Sequence, residues 1–97
     1  MTANIELRNG ELVVSGILDF VTVITLWNQS LPLFRNERNI QINLEKVTES
    51  NGAALALLIE WKRFAALHQK SITYQNVPET LLSIAKISGI VDFLKNS

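Results

Sequence analysis

At 97 residues the chain is long enough for one hydrophobic core and too short for two separate ones. Its 47% hydrophobic content is that of a packed globular protein, well above a disordered one, and nine basic and nine acidic residues cancel. The clustered positive excess of a nucleic-acid binder is missing, and the lack of cysteine excludes disulfides and thiolate metal sites.

The amino-terminal stretch MTANIELRNG has neither the basic start nor the apolar run of a signal peptide. The longest uninterrupted apolar run, Ala53 to Ile59, is far short of a membrane span. The expectation is a soluble, cytoplasmic protein with a single domain over residues 1–97.

Asn9-Gly10 supplies the two residues that best tolerate the positive φ angles of a type I′ turn. Ile5 and Leu7 alternate on one side of it, Leu12 and Val14 on the other, which predicts a hairpin with strands near 4–8 and 11–17. From Thr22 the period changes: Val23, Ile24, Trp27, Leu31 and Phe34 recur at helical spacing, with Thr22 as the expected N-cap. Pro32 removes a hydrogen bond and crowds the preceding turn, so a kink or an early stop is expected near Ser30. Trp27 lies in the middle of the apolar face, either as a core residue or as an interface anchor.

Residues 35–39 form a polar connection, Ile40 to Leu44 alternate as a short strand, and Glu45 to Asn51 are expected as a polar loop. Residues 52–68, rich in Ala, Leu, Glu, Lys and Arg, are the strongest helix candidate. Its core face is expected to carry Ala54, Leu57, Leu58, Trp61, Phe64 and Ala65. Leu55 and Ile59 fall off that face, either covering a loop beside the core or forming a partner-facing stripe. Ser71 to Gln75 is β-like. Pro78 suits the first position of a third helix ended by Gly89, and Ile90 to Leu94 make a short apolar turn. The order β-β-α-β-α-β-α predicts an α/β fold: a mixed four-stranded sheet, hairpin first, covered by helices.

No catalytic constellation is present. His68 is the sole histidine and has no carboxylate pair or cysteine beside it in sequence; Glu45 and Glu49 lack any metal-binding context. No glycine-rich phosphate loop exists, so no cofactor, metal or nucleotide site is expected. One local feature remains, the segment Ser50-Asn51-Gly52-Ala53-Ala54 ahead of the best helix. It is either an ordinary cap, with Ser50 or Asn51 capping and Gly52 relieving a tight turn, or a helix start opened by small residues to another surface.

The stretch from Asn43 to Ile59 resembles the signature of STAS domains, the fold of anti-anti-sigma factors, in which a strand leads into Asp-Ser-(small)-Gly-Leu at a helix start. The resemblance extends to the hairpin, to Gly16-Ile17-Leu18-Asp19, and to Val77-Pro78, Leu81, Ala85 and Gly89. The run Ala54 to Trp61, with Asn76-Val77-Pro78 and Ile84 to Gly89, is more narrowly similar to the small STAS subunit of Mla-type phospholipid ABC transporters. The resemblance implies a non-enzymatic module that docks on a P-loop ATPase at the inner face of the inner membrane, without inserting into it. The implied partner-binding residues are Ser50, Asn51, Gly52, Ala53, Leu55 and Ile59. A signalling module of the anti-anti-sigma type and a lipid-binding domain are the alternatives.

At the family's phosphoacceptor position this sequence has Gly52, with Asn51 for the Asp and Ala54 for the Gly. No phosphoacceptor is therefore expected at that position, and the −1.5 to −2 charge that phosphate brings (about that range at neutral pH) has no place to attach.

Overall fold

The computed structural model describes residues 2–95. β1 (Ala3–Arg8) and β2 (Glu11–Leu18) pair antiparallel around Asn9 and Gly10, whose φ angles are 51° and 84°, the positive values the turn requires. There follow α1 (Thr22–Phe34), β3 (Asn39–Ser50), α2 (Gly52–Leu67), β4 (Ser71–Gln75), α3 (Glu79–Ser88) and α4 (Val91–Lys95). The sheet order is β1-β2-β3-β4, with β2, β3 and β4 mutually parallel. This is the expected mixed α/β sheet.

Along β3, buried Ile40, Ile42 and Leu44 alternate with Gln41, Asn43 and Glu45, which lie at or near the surface. One face of the sheet is thus apolar, and its residues form a single core with Leu26 and Phe34 of α1, Leu57, Leu58 and Trp61 of α2, and Leu81 and Ala85 of α3. Burying each of the larger of these side chains contributes about 1.5–3 kcal/mol. α2 is the central helix, in contact with α1 on one side and α3 on the other. Its buried surface is correspondingly wider than one face: Ala53, Leu55 and Lys62 are buried in addition to most of the expected set. Leu55, placed off the core by periodicity, is 6% exposed and belongs to the core cluster, because α2 has neighbours on both flanks.

Five further local expectations are corrected. α1 does not stop near Ser30 but runs through Pro32 to Phe34. The proline sits in the last turn, where only one N–H is lost, and Phe34 is fully buried against Trp61 at 6.0 Å between ring centroids. Thr22 is not the N-cap. The first helical bond runs from the Val23 N–H to the Asp19 carbonyl, and the Asp19 carboxylate accepts from the Val21 and Thr22 amides, each at 2.9 Å. Thr22 completes a reciprocal box instead, its hydroxyl oxygen accepting from the Asp19 N–H at 2.9 Å and donating to the Ile17 carbonyl at 2.6 Å.

The polar stretch Glu45 to Ser50 is strand, not loop: it extends β3 along β2, with Ser15 opposite Lys46 and Leu18 opposite Ser50. Backbone pairing holds it, and two register shifts let it bend past β2. Last, Pro78 is the residue preceding α3, its carbonyl accepting from the Leu82 N–H at 3.0 Å, and Val91 to Lys95 form a short helix where a turn was expected.

Candidate functional site

Because β2, β3 and β4 run parallel, the helices that follow them all start from one end of the sheet. The corner from Leu18 to Thr22, the start of α2 and the start of α3 meet there; Ser50 Oγ lies 3.2 Å from Thr80 Oγ1 across the gap. Open α/β sheets place their binding surfaces at this carboxyl end of the strands.

The start of α2 is capped by Asn51, in extended conformation at φ −138°, whose side-chain oxygen accepts from the Ala53 N–H at 2.8 Å. Asn51 and not Ser50 is the cap; Ser50 turns to Thr80. Gly52 is exposed, its φ is not positive, and nothing lies within 4 Å of where a Cβ would stand. No tight turn requires this glycine. It leaves the first turn of the helix bare towards solvent.

The six residues expected to meet a partner separate into two sets. Ser50, Asn51 and Gly52 are on the surface or half-buried, and Ile59 is half-buried against the core. Ala53 and Leu55 are 5% and 6% exposed, inside the protein. The accessible stripe of α2 is Gly52, Ala56, Glu60 and Arg63. Ala56 was absent from the sequence-based set, although its position one turn beyond Gly52 was a readable signal.

Two hollows flank this helix start. Between α1 and α2 a groove of about 520 Å³ is walled by Phe20, Val23, Ile24 and Trp27 and floored by Ala53, Ala56 and Leu57, with Glu60 at its rim. Trp27 is half-buried there, its ring edge-on to Phe64 at 6.1 Å, so it is both packed against the core and part of a surface. On the other side a hollow of about 480 Å³ is bounded by Ile17 to Asp19, Thr48 to Asn51, and Thr80. The Thr22 amide above all, with the Val21 amide, holds the Asp19 carboxyl below its ordinary value of 3.8, so it is ionised at neutral pH.

The other titratable candidates are not assembled into a site. His68 is exposed at the end of α2, stacked at 4.3 Å on Phe64, and Glu45 and Glu49 are exposed on β3. Among the described residues no group of three His, Cys, Asp or Glu side chains is placed to hold a metal ion. No helix among them is long and apolar enough to cross a membrane.

A family model described as Mlab, STAS domain matches residues 1–95. The chain belongs to the STAS domain family. Among curated proteins none matches the sequence significantly. Among solved structures, this STAS domain is similar to the anti-sigma factor antagonist SpoIIAA in its unphosphorylated form, at 19% identity and a TM-score of 0.71, covering 94% of this chain and 84% of the other. A second similar structure, described as Mglu, gives a TM-score of 0.60 at 17% identity over 78% of this chain, which spans 19% of that protein. At these identities the likeness concerns the fold.

Proposed function

We propose that this STAS domain is a non-enzymatic docking subunit that binds the cytoplasmic P-loop ATPase of a phospholipid-transport ABC complex and supports its assembly and activity. In this reading it is held at the inner face of the inner membrane through the complex, not by insertion. The observation that carries the reading is the match over residues 1–95 to the family model described as Mlab, STAS domain. The bare start of α2 suits it: Gly52 and Ala56 let another backbone come close, and Asn51 fixes the helix end in place.

Isolation of the intact transporter from its native cells tests the proposal. The chain is expected to co-purify with the ATPase; an otherwise intact complex lacking it would sink the reading. Gly52→Trp, which has room in the free protein, is expected to weaken docking by about tenfold by standing in the contact. Unchanged affinity would move the contact elsewhere.

The likeness to SpoIIAA favours a second reading, an anti-sigma factor antagonist. Gly52 weighs against its regulated form, since it has no hydroxyl to accept phosphate. Incubation with an anti-sigma kinase and ATP separates the two readings: phosphate on this chain, or a stable complex with the kinase, would favour the second.

A further inference from the structure

From Phe20 to Phe34 the chain carries no charged side chain, yet much of this segment is surface. Phe20, Val21 and Ile24 are 75%, 76% and 64% exposed. Large apolar side chains grouped on a surface mark interaction sites more often than chance exposure does. The helices on both sides of the groove already satisfy their backbone bonds, so nothing in it can pair with the main chain of a visitor. An extended peptide would bury unpaired N–H and C=O groups there, whereas a helix arrives with its own bonds made. From Phe20 to Trp27 the wall spans about 10 Å, two helical turns, enough for two apolar side chains at i and i+3 or i+4.

Charge specifies the rest. Although the chain is neutral overall, no Lys or Arg occurs between Arg8 and Arg35, between Lys46 and Lys62, or between Lys70 and Lys86. At the end where the helices start these stretches contribute Asp19, Glu49 and Glu79, whereas Glu11 lies toward the other end beside Asn43 and Glu60, at the groove rim, pairs with Arg63 at 3.4 Å. Arg35, Arg38 and Lys70 gather at the opposite end, where the Lys70 ammonium donates to the Arg35 and Glu37 carbonyls at 3.3 and 2.6 Å and the Ser71 amide donates to the Arg38 carbonyl. The polar hollow with Asp19 and Glu49 adjoins the apolar groove across a single residue step, Asp19 to Phe20. The capping bonds of Asp19 use only Oδ1. Among the described residues no lysine or arginine lines either hollow, so an anionic lipid headgroup would meet the Asp19 and Glu49 carboxylates there.

We propose that the groove between α1 and α2 is the seat of a short amphipathic helix of the partner protein, whose apolar face enters the groove and whose Arg or Lys reaches the Asp19 and Glu49 carboxylates. The proposal rests on the docking function above and names the chemistry of the partner surface.

The test is the Kd of the intact chain for the purified ATPase subunit of its transporter, at low and moderate salt. Ile24→Glu is expected to weaken binding by at least about tenfold by placing a carboxylate in the groove. Asp19→Asn with Glu49→Gln keeps a capping side chain at residue 19, and is expected to weaken binding several-fold and to flatten its salt dependence. Ile87→Glu, at an 89% exposed position late in α3, is expected to change nothing, and circular dichroism should show all variants folded. Tight binding untouched by Ile24→Glu overturns the groove proposal and leaves docking standing. No binding by the unaltered chain sinks the docking function, and the groove proposal with it. A dimer split by Ile24→Glu in sedimentation, or flotation with phosphatidylcholine vesicles abolished by it, also overturns the proposal and gives the groove to a second copy or a lipid surface.

Discussion

Ser30 is a small residue with two tasks. It is fully buried, its hydroxyl donates to the Trp27 carbonyl at 2.7 Å, and its oxygen accepts from the Trp61 indole N–H at 2.9 Å. Ser30→Ala keeps the volume nearly unchanged but strands that N–H in the core, where an unmade bond costs about 1–3 kcal/mol. A loss of that size in the urea unfolding free energy is expected; an unchanged midpoint would mean that the indole finds another acceptor. Gly52 behaves in the opposite sense. With space around it and ordinary helical backbone, Gly52→Thr is expected to hold or raise stability by up to about 1 kcal/mol, so a glycine there is not demanded by the fold. Of the site, the helix start itself was legible from Asn51, Gly52 and the alanines. The burial of Ala53 and Leu55 was not, because it depends on which helices lie beside α2, and a single helix's periodicity carries no record of its neighbours.

At the scale of elements, β2 depends on Gly16. Its φ is 94°, and a Cβ there would run into the Thr2 carbonyl, which accepts from the Ile17 N–H at 3.1 Å. Gly16→Ala is expected to cost about 1–3 kcal/mol from the φ angle alone, with a clash added, and to lower Tm by at least about 5 °C. The bend it permits carries β2 past the second half of β3. This same region hid that half from sequence reading: Glu45 to Ser50 offer only Val47 as an apolar residue, and the pairing that makes them strand is supplied by a partner thirty residues upstream (roughly, by register). The hairpin, by contrast, was legible because its information is local, in Asn9-Gly10.

The contact of α2 with β4 holds a different kind of interaction. Tyr74 donates its hydroxyl to the Leu58 carbonyl at 2.6 Å, and the Lys62 ammonium, 5.5 Å from the Tyr74 ring centre, donates to the Ile72 carbonyl at 2.8 Å. Burial pushes the phenol well above its ordinary 10.0 and pulls the ammonium below its ordinary 10.5. Above pH 10 the unfolded phenol ionises before the folded one, so the unfolded state binds fewer protons and stability falls as pH rises. Lys62 acts in the reverse direction below 10.5, where the folded ammonium gives up its proton first and stability rises with pH. Tyr74→Phe isolates the first effect. Urea midpoints at pH 9 and 11 are expected to fall less steeply in the variant than in the unaltered protein; parallel slopes would refute the assignment.

Across the whole molecule the neutral composition conceals an uneven placement of charge: one end carries Asp19, Glu49 and Glu79, the other Arg35, Arg38 and Lys70 together with Glu11 and Glu37. Composition could not reveal this, since it emerges only when the parallel strands bring the helix starts to one side. The same folding pattern gives the two tryptophans different surroundings. Trp61 is sealed in the core with its indole bonded to Ser30, and Trp27 stands in the wall of the groove. The protein therefore holds two optical probes with separate readouts. In Trp27→Phe the remaining emission should be blue-shifted and resistant to acrylamide until the chain unfolds. In Trp61→Phe it should be quenched in the free protein and protected when the groove is filled, so the colour of one residue reports folding and that of the other reports occupancy.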